Sequence, residues 1–382
     1  MSEIKRLIEQ LCPDGVEYKK LGEVTIMQRG TSMTKKNAIE GEIPVISGGR
    51  EPAFYIDKPN REGETITVAG SGAGAGYVQY WNKPIFVNDA FSVKGTDNLL
   101  TKYVFYCMKK MQEQIIGTQK GGGVPHVHIS SIDNFEIPIP PIEVQSKIVE
   151  ILDNFTELEA ELEAELEARR KQYEYYRNQL LTFDKVGGAR FDVKWMTLGE
   201  IGEVCMCKRI MKHQTSDSGE IPFFKIGTFG GTPDAFIDRD LYDEYKSKFS
   251  YPKKGDILIS ASGTIGRAVI FDGKDAYFQD SNIVWIDNDE SILYNKYLYY
   301  LYSIIDWKTE GGTIKRLYNG NLKATKIAVP PLSEQKSIVS ILDRFEALTT
   351  DLQSGLPAEI EARRKQYEYY REKLLTFKRK TA

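Results

Sequence analysis

From residue 152 to residue 183 apolar side chains recur at steps of three, four or seven: Leu152, Phe155, Leu158, Leu162, Leu166, Tyr173, Tyr176, Leu180 and Phe183. That spacing puts them on one face of a helix, and the stretch LEAELEAELEA within it is built from strong helix formers. Pro140 and Pro141 mark its start, and Gly187 and Gly188 mark its end. One helix over residues 143–183 would be roughly 60 Å long at 1.5 Å per residue. A second stripe follows the same pattern: Leu342, Phe345, Leu348, Leu352, Ile360, Tyr367, Tyr370, Leu374 and Phe377. The SGLP at residues 354–357 predicts a break within it. Matched apolar rows on two long helices predict that the helices pair, antiparallel, instead of each packing alone.

The stretches 15–140 and 190–330 read differently. Short β-type runs, such as residues 65–69, 77–81, 257–260 and 283–286, alternate with Gly, Pro and Asn turns. One helical patch closes each stretch, at residues 102–116 and 293–307. Both read as α+β domains dominated by a twisted sheet.

The chain is a duplication. Residues 168–177 read ARRKQYEYYR and residues 362–371 read the same; LLTF follows two positions later in both, so 14 of 16 positions match. Upstream, Pro140, Pro141, Gln145, Ile148, Val149, Asp153 and Phe155 recur as Pro330, Pro331, Gln335, Ile338, Val339, Asp343 and Phe345. Weaker echoes join Leu21-Gly22-Glu23 to Leu198-Gly199-Glu200, GEIP at 41–44 to GEIP at 219–222, and Ser71-Gly72 to Ser262-Gly263. The period, about 190 residues, is far beyond that of solenoid repeats. A whole module is doubled, which predicts pseudo-two-fold symmetry and two different binding domains on one helical frame. The expected divisions are residues 1–142, with a short N-terminal helix, 143–186, 187–332 and 333–382.

Charge sharpens this picture. The net charge of −3 argues at first against nucleic acid. Residues 143–184, however, hold 5 basic and 11 acidic residues, a net of −6, so one helix carries the whole negative balance. The globular stretches are near neutral and free to present local basic faces. No run of ~20 apolar residues is present to span a membrane, and MSEIKRLIEQL lacks the apolar core of a signal peptide; a cytoplasmic location is expected. The four cysteines form no metal-site spacing and read as structural thiols.

Catalytic chemistry is not legible. Gly70, Gly72 and Ala75 fit a loose GxGxxA, but a phosphate cradle needs that loop to open a helix. Tyr77–Trp81 reads instead as a strand, so residues 70–76 are expected to be a hairpin loop, matched by residues 261–266. His126 and His128 lack further ligands. No nucleophile motif and no methyltransferase signature appears, so the chain is expected not to be an enzyme and to hold no cofactor or metal. Basic residues near glycines or aromatics recur at corresponding places in both copies. Lys35, Lys36, Arg50, Ser71, Gly72, His126 and His128 in the first, with Lys208, Arg209, Lys225, Ser262, Thr264, Lys315 and Arg316 in the second, are the candidate DNA-facing residues. Arg and Lys bind phosphates and read guanine, and glycine loops let backbone approach DNA. On the helices, neighbouring tyrosines sit about 100° apart and cannot all face one partner. Arg169, Arg170, Tyr175 and Tyr176, with Arg363, Arg364, Tyr369 and Tyr370, are therefore candidate interface residues.

The proline pair with its Gln, Ile-Val and ILD-x-F run, the LEAE tetrads, GLP-x-EIE before the second ARRKQYEYYR, and GGTIKRLYNGNL at residues 311–322 give the chain its resemblance. It resembles the specificity subunit of Type I restriction–modification systems, especially the IC subclass, over nearly its whole length. The resemblance implies two target-recognition domains, each reading half of a split site on double-stranded DNA, and helical spacers that set the gap and dock two methylation subunits. S-adenosylmethionine, ATP and Mg are implied on the methylation and restriction subunits, not on this chain. The tetrads carry Glu where the family more often has Thr, which makes this spacer more acidic. The competing reading, from the helices alone, is a protein-assembly scaffold without specific DNA binding.

Overall fold

The computed structural model describes residues 2–183, 192–312 and 315–380. The helix end expected at Gly187 and Gly188 lies outside the described residues. The first globular stretch runs α1 (Ser2–Leu11), β1 (Glu17–Lys20), α2 (Leu21–Val24), β2 (Thr25–Arg29), β3 (Ile43–Ile46), β4 (Tyr55–Ile56), β5 (Glu64–Ala69), β6 (Val78–Asn82), β7 (Phe86–Val87), β8 (Ala90–Gly95), α3 (Thr101–Lys110), α4 (Gln112–Ile116), α5 (Ile129–Ile132) and β9 (Glu136–Ile139). Helix α6 (Ile142–Leu181) follows the proline pair without interruption for 40 residues. The second stretch runs β10 (Lys194–Thr197), α7 (Leu198–Ile201), β11 (Gly202–Cys205), β12 (Ile221–Phe224), β13 (Phe236–Ile237), α8 (Arg239–Lys248), β14 (Ile257–Ser260), β15 (Ala268–Ile270), β16 (Tyr277–Phe278), β17 (Ile283–Asn288), α9 (Asn295–Tyr302), α10 (Asn319–Ala324) and β18 (Lys326–Val329). Helices α11 (Leu332–Thr350) and α12 (Leu356–Leu374) end the chain.

Each globular stretch is built to the same plan. An antiparallel sheet is ordered β2–β8–β5–β6 in the first and β11–β17–β14–β15 in the second. A mixed three-stranded sheet is ordered β4–β3–β7 in one and β13–β12–β16 in the other, and the ribbons β1–β9 and β10–β18 join the ends of each stretch. The strands expected from alternation are all present. The helical patch expected over 293–307 is shorter: α9 stops at Tyr302, where Ser303 and Ile304 turn back onto the carbonyls of Tyr300 and Leu301, and Trp307 lies outside it. Helix α8 was not legible. Its sequence RDLYDEYKSK is dominated by charge, and only Tyr242 is fully buried.

By packing, the chain forms two compact units: residues 1–164 with 359–382, and residues 165–358. In the first, Tyr103, Val104, Cys107 and Met108 of α3 close over Ile66, Val68, Phe91 and Val93 of the sheet. Val144, Ile148 and Leu152 of α6 and Leu374 and Leu375 at the end of α12 complete that core. The second unit is assembled alike: Tyr297, Leu298 and Leu301 lie over Ile257, Ile259, Val284 and Ile286, joined by Ile338, Val339 and Leu342 of α11 and by Leu181. Each copy of LLTF thus closes a core whose globular part belongs to the other copy. A second core in this unit gathers Phe223, Phe229, Tyr277, Leu258 and Trp285.

Helix pairing accounts for the two stripes. Within the first unit Phe155 stacks on Tyr370 at 5.3 Å. Glu159 and Glu163, further along α6, meet Arg364, earlier on α12, so the two run antiparallel. Within the second unit Tyr173 and Tyr176 of α6 pack on Phe345 of α11. The break predicted at residues 354–357 separates α11 from α12. It also corrects the second stripe: Leu352 falls in the break and is 80% exposed, and Leu348 is exposed too, while Thr349 and Ile360 take the buried places.

The spacer helices are clamped to their domains by the same bonds twice. Buried Gln145 accepts the Leu100 amide (3.0 Å) and donates to the carbonyls of Asn98 and Pro140. Gln335 repeats this with Tyr294, Ile292 and Pro330. About two helical turns further, Asp153 takes Lys102 (2.7 Å) and the Tyr106 hydroxyl (2.5 Å). Asp343 takes Lys296 (2.7 Å) and Tyr300 (2.6 Å). Burial and the facing carboxylate push the Tyr106 and Tyr300 hydroxyls far up, so both remain donors.

Candidate nucleic-acid interface

In the first unit the candidate residues gather on the β5–β6 hairpin and the loop before α5. The hairpin needs glycine at Gly72 and Gly76, whose φ values are +77° and +85°. Close approach fixes two more: a Cβ at Gly48 would stand 2.1 Å from the Ser71 carbonyl, and one at Gly74 2.3 Å from the Gly48 carbonyl. The segment carrying Arg50 is thereby laid against the hairpin. The Arg50 guanidinium lies 4.8 Å over the Tyr77 ring, as does the Lys109 ammonium. Burial, with Arg371 and Arg50 nearby, lowers the pKa of Lys109. The loop after α4 is stitched on by Gly72 N–H to Pro125 O (3.0 Å) and Val127 N–H to Gly70 O (3.0 Å). This places His126 beside Ser71, whose hydroxyl donates to Asp89. The His126 and His128 rings lie parallel, 6.1 Å apart. Together with Arg29, Asn88 and Asp89 they line a cleft of about 210 Å³. Arg50, Ser71, Gly72, His126 and His128 are thus one neighbourhood. Lys35 and Lys36 stand apart, exposed on a short turn (residues 35–37), with Lys35 beside Phe54 and Tyr55.

The second unit repeats the construction with other side chains. Gly263 and Gly266 take the same positive φ as Gly72 and Gly76, at +65° and +86°. Leu317 N–H reaches the Ala261 carbonyl (2.8 Å), as Val127 reaches Gly70. Arg209, Lys225 and Arg316 line a cleft of about 550 Å³ with Asp280 and Asn282. Arg209 Nε bonds Asp280 at 2.9 Å, and Lys225 pairs with Asp234 at 2.8 Å. Thr264 and Lys315 are exposed nearby. Two candidates are placed otherwise. Ser262 is buried, its hydroxyl donating to Asn282 at 2.8 Å, so it holds the loop together. Lys208 leans over the Phe249 ring at 5.0 Å and does not line the cleft.

The helix-borne candidates divide into inward and outward sets. Tyr176 and Tyr370 stack on Phe345 and Phe155 within their own units. Tyr175 and Tyr369 point away, each 58% exposed. Arg169 bonds Glu165 and Gln172, and Arg363 bonds Glu359 and Gln366 in the same way. Arg364 donates to Glu159 (2.6 Å) and Glu163. The positions matching those two acids in the second copy are Thr349 and Gln353, and among the described residues Arg170 makes no ion pair.

The model of the Type I restriction modification DNA specificity domain matches residues 13–168 and again residues 192–362. The chain belongs to this family. Among its relatives, a putative type I restriction enzyme specificity subunit of Haemophilus influenzae is 48% identical, covering 95% of this chain and 96% of that one. The specificity subunit of the Escherichia coli enzymes EcoR124I/EcoR124II is 31% identical, covering 99% and 98%. A crystal structure of the type I S subunit from M. genitalium superposes with a TM-score of 0.59 at 19% identity, over 94% of this chain and 96% of that one, and shares its fold. Among the described residues no helix is long and apolar enough to cross a membrane. The family resemblance was legible in the repeated spacer motifs. The clamps were missed, although KY-x-x-Y recurs at residues 102–106 and 296–300 and was the available signal.

Proposed function

We propose that this specificity subunit reads a bipartite site on double-stranded DNA, one half through each unit, and so directs two methylation subunits and, through them, the restriction subunits. The chain is not catalytic alone. S-adenosylmethionine, ATP and Mg act on its partners. The observation that supports the reading most is the repeated loop cluster. The same glycine-shaped hairpin and the same bridged loop are built twice, with Arg50, His126 and His128 on one and Arg209, Lys225 and Arg316 on the other. A shared frame with different side chains is what two readers of different sequences require. The exposed Tyr175 and Tyr369, with Arg170, are assigned to docking the methylation subunits.

The test is DNA titration of the complex purified from cells that carry the whole system, on DNA with and without a methylated site mapped in those cells. Non-specific binding rests on phosphates and falls steeply between about 50 and 200 mM salt. A reader keeps a preference of about 10³-fold or more for the site across that range. Equal affinity for both DNAs at every salt concentration would support the scaffold instead.

A further inference from the structure

We propose that Arg209, held at its Nε by Asp280, reads a guanine in the half-site of the second unit. The proposal rests on the reading of the units as DNA readers.

The pair is built from positions that set the second unit apart from the first. Arg209 stands eleven residues after Leu198; counted alike from Leu21, its place in the first unit is taken by Ser32. Asp280 lies in an insertion. Val87 pairs with Ile46 as Phe278 pairs with Phe224. The next residues, Asn88 and Gln279, match as well, their amides donating to the Ile46 and Phe224 carbonyls at 2.8 and 2.9 Å. After them Asn282 takes the part of Asp89. Each accepts the hydroxyl of the hairpin serine, Ser262 or Ser71, and each offers its carbonyl to the amide before that serine, at Ala261 or Gly70. Asp89 follows Asn88 directly, whereas Asp280 and Ser281 separate Gln279 from Asn282. The insertion turns at Ser281, among the described residues the non-glycine residue at positive φ (52°). Arg316 Nη2 pins that turn through the Ser281 carbonyl (3.2 Å) and Asn282 Oδ1 (3.0 Å). Arg316 is thus a positioning residue for the segment that carries Asp280.

The contact leaves the outer edge of Arg209 open. Asp280 Oδ2 accepts from Nε at 2.9 Å, and among the described residues neither Nη1 nor Nη2 makes a hydrogen bond. Those two nitrogens present donors side by side. The O6 and N7 acceptors of guanine in the major groove match them. Arg209 and Asp280 both line the cleft that also holds Lys225 and Arg316. The Asp280 side chain is 18% exposed and that of Arg209 66%, so the anchor sits in the wall while the fork reaches out of it. Holding Nε also removes rotamer freedom that a loose arginine would lose on binding. The carboxylate separates a base from a phosphate. It repels a phosphate and offsets the charge that would attract one, whereas guanine is neutral and is recognised by the direction of its hydrogen bonds.

The experiment uses duplexes carrying a site mapped in cells with the whole system. Each guanine of the second unit's half-site, on either strand, is replaced in turn by 7-deazaguanine, which still pairs with cytosine but lacks N7, and binding by the purified complex is measured. In the wild type one guanine should respond, its replacement weakening binding about 10-fold. In R209Q the same replacement should change binding less than about 2-fold, while the first unit's half-site responds as in the wild type. D280A releases the guanidinium and should shrink the response of that guanine without tightening binding to unrelated DNA. No responsive guanine in the wild type overturns the proposal, and this arm needs no variant to fold. An equal response in the wild type and either variant overturns it too. So does a D280A complex that binds every DNA more tightly, the sign of a phosphate contact. Failure of the reader assignment itself would look different: the wild-type complex would not distinguish its mapped site from other DNA.

Discussion

Deleting one tetrad, Leu162–Glu165, is the perturbation whose outcome the helix pair constrains most tightly. The boundary between the two compact units falls after Ala164, inside this tetrad. The repeat makes the deletion chemically silent on either side. Leu166 moves into the place of Leu162, and Glu167 takes the place of Glu163 in the pair with Arg364. Glu161 comes to stand four residues before Arg169, where Glu165 now bonds it at 2.7 Å. What changes is length. Four residues shorten α6 by ~6 Å and turn it ~40° beyond a full turn. One base-pair step is ~3.4 Å, and ten to ten and a half of them make a turn, ~35° each. The deletion should therefore keep both half-site sequences and shorten the unspecified gap by one or two base pairs. Removing three residues instead rotates the stripe ~60° the other way. That should break the stacking on Phe345 or Phe155 and abolish modification. Genome-wide mapping of methylated sites in cells carrying the parent or the shortened subunit reads the gap directly. An unaltered gap, or altered half-sites, would refute the spacer as a ruler.

Three other outcomes follow from the packing. Gln145→Leu strands the Leu100 amide and two carbonyls in a buried place, and should destabilise the first unit by about 2–4 kcal/mol in urea unfolding; a change below about 0.5 kcal/mol would contradict the clamp. Arg239 and the Tyr242 hydroxyl hold the Asp275 carboxyl down, from an ordinary 3.8 to about 2, so its contribution is full above about pH 4 and lost as pH falls to about 2. The stability difference between wild type and Asp275→Asn should vanish over that window, and a difference that persists below it would contradict the pairing. Replacing Tyr175 and Tyr369 by Ala should weaken co-purification with the methylation subunits while leaving the unfolding transition in place; unchanged co-purification would remove these residues from the interface.

Much of the architecture was readable because it rests on periodicity and identity. The stripe of α6, the antiparallel pairing, the SGLP break and the two hairpins all follow from spacing or from repeated residues. What was hidden depends on contacts remote in sequence. The strands β4, β7, β13 and β16 have only two residues each, too few to show alternation. The exchange of LLTF between copies leaves no local trace, since either copy of Leu-Leu fits either core. Ser262 matches Ser71 in sequence and so reads as a DNA contact, yet it is buried against Asn282, in a loop that is two residues longer in the second copy. Leu352 kept the heptad count but lost its face, because the break that Gly355 and Pro357 impose rotates it into solvent. Residue type alone marks the basic candidates in the sequence. Their orientation, which separates Arg316 from Lys208, is set by acceptors such as Asn282 and by the Phe249 ring that sequence spacing does not reveal.

The central claim, that each globular stretch reads its own half of a split site, is tested most directly by exchange. Residues 15–140 are replaced by the corresponding stretch of another family member, and the methylated sites are mapped genome-wide in cells carrying the full system. One half-site should change to that of the donor, while the other half-site and the gap between them stay as they were. A change in both half-sites, or in neither, would contradict the account.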